Sequence, residues 1–351
     1  MVDTAGTELG SLTVGEAIQV GGVNYTLWRY FDQMCVVIAE PDTITTRRSD
    51  NDGNGISDVM FAWSGYNYQH GYWMNGTNEW QSVDVRHPSD WDNLGCYDMT
   101  GNGKADSVLF GNVNEDGIRG AYIGYYTDGI DLDENWVTIG HLDNIEVDWK
   151  NKVGNLTGNE KGANSIVWYA PEMHALGAWK DGKEDWVSIA ETFGGDDWTL
   201  VGCGDFDGDG KDSIMMAYNG GQLFYTADID GTVTAMGDAN WSGWEVRAIG
   251  DFMGDGKDDL VLFHPVYGSM VMLADGRADV DSDGKAIFIE VGQLSAKDWF
   301  VVGAGDYDGD QKDDLLVRQY STGWLGYYSE GIQDNWNLLG RGVGMEWTVI
   351  A

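Results

Sequence analysis

The feature that most constrains this chain is a short acidic segment that recurs in register. GDFDGDGKDSIMM over 204–216 returns as GDFMGDGKDDLVL over 250–262 and as GDYDGDQKDDLLV over 305–317. Weaker copies stand at 49–61 (SDNDGNGISDVMF), 97–110 (YDMTGNGKADSVLF) and 154–168 (GNLTGNEKGANSIVW), the last read with one extra residue. Their loops open at Asp50, Asp98, Asn155, Asp205, Asp251 and Asp306, at intervals of 48, 57, 50, 46 and 55 residues. Self-similarity at that period marks a propeller blade or a solenoid turn, in which no unit buries its apolar faces alone.

Each repeat holds four short apolar segments. A Trp stands seven residues before the loop at Trp91, Trp198, Trp244 and Trp299, and six before it at Trp149. WTLVG, WEVRAIG and WFVVG read as a first strand. The runs after the loop (DVMFAW, SIVWY, DLVLF, DLLV) are too short for helices and read as a second. The third ends in Asn75-Gly76, Asp128-Gly129, Asp181-Gly182, Asp275-Gly276 or Glu330-Gly331, pairs suited to a two-residue hairpin because both positions take positive φ. A fourth strand follows, as in WVTIG, WVSIA, IFIEVG and WNLLG. Four antiparallel strands per repeat predict an all-β propeller.

The same pattern predicts seven blades. LWRYFDQMCVVIAE (27–40) aligns without a gap on LFHPVYGSMVMLAD (262–275), as the middle strands of a blade whose loop is replaced by GGVN. That blade lacks a first strand, and the chain stops on one, Glu346 to Ala351. The reading is therefore ring closure, with blades at 21–42 plus 346–351, 43–90, 91–148, 149–197, 198–243, 244–298 and 299–345, and an N-terminal segment 1–20 of no assigned role.

Composition narrows the partners. Lys and Arg number 20 against 58 Asp and Glu, a net charge of −38, which repels nucleic acid and anionic bilayers. A chain that is 42% hydrophobic, with 17 Trp, has too much to bury to be a disordered acidic polymer. Gly reaches 51 residues and Pro only 4, as in turn-dense β structure. Three cysteines, Cys35, Cys96 and Cys203, make no disulfide framework, and Cys96 and Cys203 lie in non-adjacent blades. No stretch approaches 18 uninterrupted apolar residues and the start carries no basic-then-apolar leader, so the chain is either cytosolic or a processed form whose export signal has been removed.

The loops carry the chemistry. Asp50, Asp52, Asn54 and Asp58, and again Asp306, Asp308, Asp310 and Asp314, occupy relative positions one, three, five and nine. Oxygens at alternate positions of a tight loop converge. Clustered carboxylates repel unless a cation neutralises them, and Ca²⁺ accepts six to eight such oxygens where Mg²⁺ keeps its waters and a rigid octahedron. The other loops depart by degrees: Asp205, Asp207 and Asp209 end on Ser213; Asp251, Asp255 and Asp259 have Met253 at position three; Asp98 and Asp106 flank Thr100 and Asn102. The loop of Asn155, Thr157 and Asn159, read as ending at Ala163, has no Asp and is expected to hold a metal weakly or not at all. About five Ca²⁺ sites are expected, tightest at 50 and 306. Asp279, Asp281, Asp283, Gly284 and Glu290 match an EF-hand loop, but their flanks MVMLAD and AIFIEV are strand-like, which leaves a calcium-binding hairpin or a solvated acidic turn.

The string DWxxVGxGDFDGDGKDDLL, followed by a strand ending in WMNG or WKDG, resembles the FG-GAP/VCBS repeat family of integrin α-chain propellers and secreted bacterial proteins. From about residue 21 onward the resemblance implies a seven-bladed propeller with calcium loops on one face. Members include adhesins, lectins, enzyme-associated modules and structural proteins, so it does not name the ligand.

No catalytic pattern stands out. His70, His87, His141, His174 and His264 show no metal-ligand spacing, and neither a nucleophile elbow nor a P-loop occurs. The aromatic column Trp73, Tyr126, Trp179, Tyr225 and Tyr328 suits either glycan platforms or packing between blades. Incomplete loops suit the millimolar calcium outside cells. The sequence thus points to an exported or cell-surface, non-enzymatic calcium-binding module for glycan or another surface protein, without nucleic acid or membrane insertion. The alternatives are a self-associating filament or surface-layer subunit and, third, a polysaccharide-degrading enzyme.

Overall fold

The computed structural model describes residues 17–20, 23–30, 33–38, 49–63, 70–83, 91–113, 119–127, 136–142, 149–158, 163–295, 298–341 and 347–350. The chain divides into two compact units, Met1–Thr45 and Thr46–Ala351. In the first, Ala17–Val20, Val23–Tyr30 and Gln33–Ile38 form a three-stranded antiparallel sheet, with Tyr25 opposite Ile38 and Tyr30 opposite Gln33. These segments are rich in β-branched and aromatic residues, which suit a pleated surface.

The second unit is a β-propeller of six four-stranded antiparallel blades. Blade 1 pairs Trp347–Ile350, Val59–Trp63, His70–Trp73 and Trp80–Val83 in that order. Blade 2 comprises Trp91–Tyr97, Asp106–Val113, Arg119–Tyr126 and Trp136–Leu142; blade 3, Lys150–Gly154, Ser165–Ala170, Ala175–Trp179 and Trp186–Ala190. Blade 4 is Trp198–Gly204, Ser213–Tyr218, Leu223–Ala227 and Val233–Ala235; blade 5, Glu245–Gly250, Asp259–Phe263, Ser269–Leu273 and Ile289–Gln293; blade 6, Trp299–Gly305, Asp314–Gln319, Leu325–Tyr328 and Trp336–Gly340.

This corrects the expected count. The C-terminal strand does close the ring, but on the blade that carries the Asp50 loop: Trp347 faces Trp63 and Ile350 faces Met60. Segment 21–42 supplies no seventh blade, because its strands pair among themselves and lie in the other unit. Nor are the Gly-containing turns two-residue hairpins. Third strands end at Trp73, Trp179, Leu273 and Tyr328, and the next strands begin at Trp80, Trp186, Ile289 and Trp336.

Six buried clusters lie one at each interface between successive blades. Leu260 and Leu262 of a second strand face blade 4 with Phe206 and Met215, while the alternate residues Val261 and Phe263 face blade 6 with Val301 and Leu315. Burial on both faces is why the second strands read as unbroken apolar runs. The sixth cluster, with Val59 and Phe61 of blade 1 against Leu316 and Leu325 of blade 6, seals the ring. Hydrogen bonds repeat the closure: Ala105, Asn164, Asp212, Asp258 and Asp313 each donate the backbone N–H to the carbonyl of Asp50, Asp98, Asn155, Asp205 and Asp251. Ser57 completes the cycle by donating to the carbonyl of Asp306 at 2.7 Å.

Candidate cation-binding loops

Those six bonds join the acidic loops into one belt. Within a loop the first Asp is held by a nest of backbone N–H groups, an anion-binding arrangement. Asp306 Oδ1 accepts from Gly309 and Asp310, and Oδ2 from Gln311, at 2.6, 3.2 and 2.9 Å. Asp50, Asp98, Asp205 and Asp251 repeat the pattern. Asn155 accepts from Gly158 at 3.2 Å. Positive φ at positions four and six turns these N–H groups inward, supplied by Gly as at Gly208 and Gly210 (79° and 82°), with Gln311 taking φ 77° at position six of the loop at 306.

The ninth residue ties each loop to the turn after the third strand. Asp58, Asp259 and Asp314 are fully buried and accept the backbone N–H of Asn75, Asp275 and Glu330 at 2.8, 2.9 and 3.1 Å. Those three donors have φ of 55°, 52° and 55°, so the left-handed turns point an N–H at the loop. The Gly after each, and Gly182 after the equally left-handed Asp181, then meets the preceding blade's second loop residue: Gly76 lies on Tyr307, Gly182 on Met99, Gly276 on Phe206 and Gly331 on Phe252. Asp128-Gly129 lies outside the described residues.

Burial raises the ninth carboxyls, Asp58 and Asp259 to about 7 and Asp314 to about 8. Backbone N–H donors oppose the shift, and neighbouring loop charges, Asp52, Asp251 and Asp255, and Asp308 and Asp306 respectively, add to it. Asp50 and Asp205 are raised for the same first reason, loss of water.

Among the described residues two groups bring three carboxylates together, each with one oxygen within 4.8 Å of the others: Asp306, Asp308 and Asp314, and Asp205, Asp207 and Asp209. Hard, anionic oxygens at that mutual distance fit a calcium ion. The carboxylates of the loop at 50 are not gathered so closely; Asn54 Nδ2 donates to Asp52 Oδ2 and to Asn75 Oδ1. In the loop at 205, Ser213 donates its hydroxyl to Asp228 at 2.6 Å. In the loop at 251, Met253 is exposed, and Asp255 Oδ1 accepts the N–H of Lys257. In the loop at 98, Thr100 Oγ1 donates to Asp98, Asn102 Oδ1 accepts from Lys104, and Asp106 Oδ2 accepts from Met99. The loop at 155 ends two residues later than read: Gly154 pairs with Ser165, and Ser165 Oγ accepts the N–H of Asp181 in place of a ninth carboxylate.

The EF-hand-like segment is an exposed hairpin with a bridge between Val280 and Ala286, and Arg277 engages the Asp279 carboxylate. The aromatic column packs between blades: Trp179 and Tyr328 are buried, and Trp73, Tyr126 and Tyr225 pack on interface clusters. Cys96 and Cys203 are buried thiols outside any disulfide, and burial pushes Cys96 up to about 12.

Residues at positions two, seven and eight escaped the sequence reading. At position seven Lys104, Lys211, Lys257 and Lys312 lay their stems over Gly53, Gly158, Gly208 and Gly254 of the preceding loop. The signal was available as a large apolar residue at position two and Lys at seven in most copies.

No protein-family model matches the chain, and no curated protein does. Among solved structures it is similar to a chain of a nidogen/laminin complex, at 12% identity and TM-score 0.46 over 84% of this chain and 98% of that one. It is also similar to a catalytically inactive virginiamycin B lyase from Staphylococcus aureus with quinupristin (11%, TM-score 0.38, 83% and 86%). A third is the V. cholerae biofilm matrix protein Bap1 (16%, TM-score 0.31, 72% and 38%). These are likenesses of fold alone. No helix among the described residues is long and apolar enough to cross a membrane.

Proposed function

We propose that the propeller is a calcium-loaded, non-enzymatic binding module that works outside the cell, with glycan or another extracellular protein as its partner. The observation that carries this reading is the convergence of Asp306, Asp308 and Asp314, two of them fully buried, on one side of a tight loop. A divalent cation there would be held by those three and Asp310, and a second by Asp205, Asp207 and Asp209; Ca²⁺ would neutralise the clustered charge and stiffen the belt. The loops at 50, 251 and 98 would bind more weakly. Incomplete ligand sets match millimolar extracellular calcium.

The place for a partner is the cleft of roughly 570 Å³ between blades 3 and 4, lined by Thr157, Lys180, Asp207, Asp209, Asp228 and Asp230. Because the ninth residue beside it is Ser213, a cation in the loop at 205 has room for oxygens from outside, such as a sugar diol or a carboxylate. A glycan array run with Ca²⁺ and with chelator, beside light scattering of the same samples, tests the reading. Selective, calcium-dependent glycan signal from a monomer supports it. No glycan signal with calcium-driven assembly transfers the function to a structural subunit.

A further inference from the structure

The eighth residue of each loop is not among the expected cation ligands, yet its side chain makes a contact that recurs around the ring. In four blades its side chain reaches back and accepts the backbone N–H of the preceding loop's first residue. Asp212 Oδ2 accepts from Asn155, Asp258 Oδ2 from Asp205, Asp313 Oδ2 from Asp251 and Ser57 Oγ from Asp306, at 2.8, 2.8, 2.9 and 3.1 Å. The eighth residue's own N–H donates to that same first residue's carbonyl. The first residue is thus gripped on both sides by the neighbouring blade.

The grip explains a glycine. Gly154, Gly204, Gly250 and Gly305, which precede these first residues, have ordinary φ and owe nothing to the left-handed region. A Cβ on them would instead meet the gripping atom: Asp212 Oδ2 at 2.9 Å, Asp258 Oδ2 at 2.8 Å, Ser57 Oγ at 2.8 Å, and Asp313 Oδ2 closest of the four; at Gly154 the Cβ of Cys203 stands nearer still. The two remaining interfaces break both halves of the rule together. Ser49 precedes Asp50 and is faced by Ala105, and Tyr97 precedes Asp98 and is faced by Asn164, which donates Nδ2 to the Asp98 carbonyl at 2.8 Å.

We propose that the eighth-position side chains are positioning residues: Asp258, Asp313 and Ser57 each hold the first carboxylate of the neighbouring loop in place, as Asp212 holds Asn155, so that cation binding in one blade depends on the loop of the next. This rests on the calcium reading for its binding arm and on geometry alone for its packing arm. In the first arm, calcium titrations compare the unaltered chain with Asp258→Ala, Asp258→Asn and Asp205→Asn. Asp258→Ala should weaken one of the two tighter sites about ten-fold, the site lost in Asp205→Asn, while Asp258→Asn, whose carbonyl oxygen still accepts the N–H, largely restores it. An unchanged isotherm for Asp258→Ala overturns the proposal; an unaltered chain that takes up no Ca²⁺ overturns the calcium reading instead. The second arm needs no metal: Gly250→Ser, Asp313→Ala and the double variant, which recreates the Ser49–Ala105 pair, are melted in chelator. The double variant should be more stable than the sum of the single losses, and should fold even where Gly250→Ser does not. Additive losses, or failure of the double variant alongside the single, overturn the proposal.

Discussion

Removing residues 347–351 tests the architecture at its seam. The strand pairs four residues with Val59–Trp63, and a ladder of that length offers about four hydrogen bonds at ~0.5–1.5 kcal/mol each. Val349 also packs on the cluster that holds the buried Phe61, and lost apolar cover there adds roughly 1–3 kcal/mol. The loss is therefore about 3–9 kcal/mol, a large part of the ~5–15 kcal/mol typical of a folded domain. In a unit of roughly 300 residues, 1 kcal/mol moves the melting temperature by about 1.5 °C, so calorimetry should show a fall of roughly 5–14 °C. A paired-cysteine variant, Thr348→Cys with Ala62→Cys, should oxidise to a disulfide and recover or raise the midpoint, since the two residues are strand partners. A truncated chain melting within about 2 °C of the intact one, with no disulfide in the paired variant, would refute closure on this blade.

Gly76→Ala should destabilise well beyond the ~1–2 kcal/mol cost of a left-handed Cβ, because that atom also strikes the Tyr307 carbonyl; Gly220→Ala, at φ 64° in open space, should cost only the backbone term, and denaturant melts of the two compare them. In chelator, stability should fall as pH rises. Asp58, Asp259 and Asp314 bind protons in the folded state up to about 7, 7 and 8, whereas unfolded carboxyls release them near 3.8. Their contribution is complete below that lower value and is lost as pH climbs through the folded ones, so thermal midpoints without metal should drop between pH 5 and pH 8.5 and a rise over that window would contradict the assignment.

Much of this was legible from residues alone because the blade repeats its chemistry. The acidic loop, the Trp of the first strand, the apolar second strand and the left-handed turn are local demands on residue type. The blade count was not local. Six loops require six first strands, and Trp91, Trp149, Trp198, Trp244, Trp299 and Trp347 supply one each, the last for the Asp50 loop that has no Trp before it. What misled was the match of 27–40 to 262–275, since any antiparallel hairpin with alternating apolar residues resembles the middle of a blade. The interblade contacts hid for a related reason. Asp258 and Asp259 are neighbours of one type, yet one turns to its own loop and the other to the blade before it, a division set by strand alternation and by ring geometry.

The central claim, that the belt holds calcium, is tested most directly by the melting temperature of the intact chain in chelator, in 10 mM Mg²⁺ and in 10 mM Ca²⁺. Two sites with Kd of about 0.1–1 mM would add roughly 3–5 kcal/mol at that concentration, a rise of about 4–8 °C. The account predicts that rise with Ca²⁺, a smaller one with Mg²⁺, and its loss when Asp306, Asp308, Asp205 and Asp207 are changed to Asn. Identical melting curves in chelator and in Ca²⁺ would contradict it.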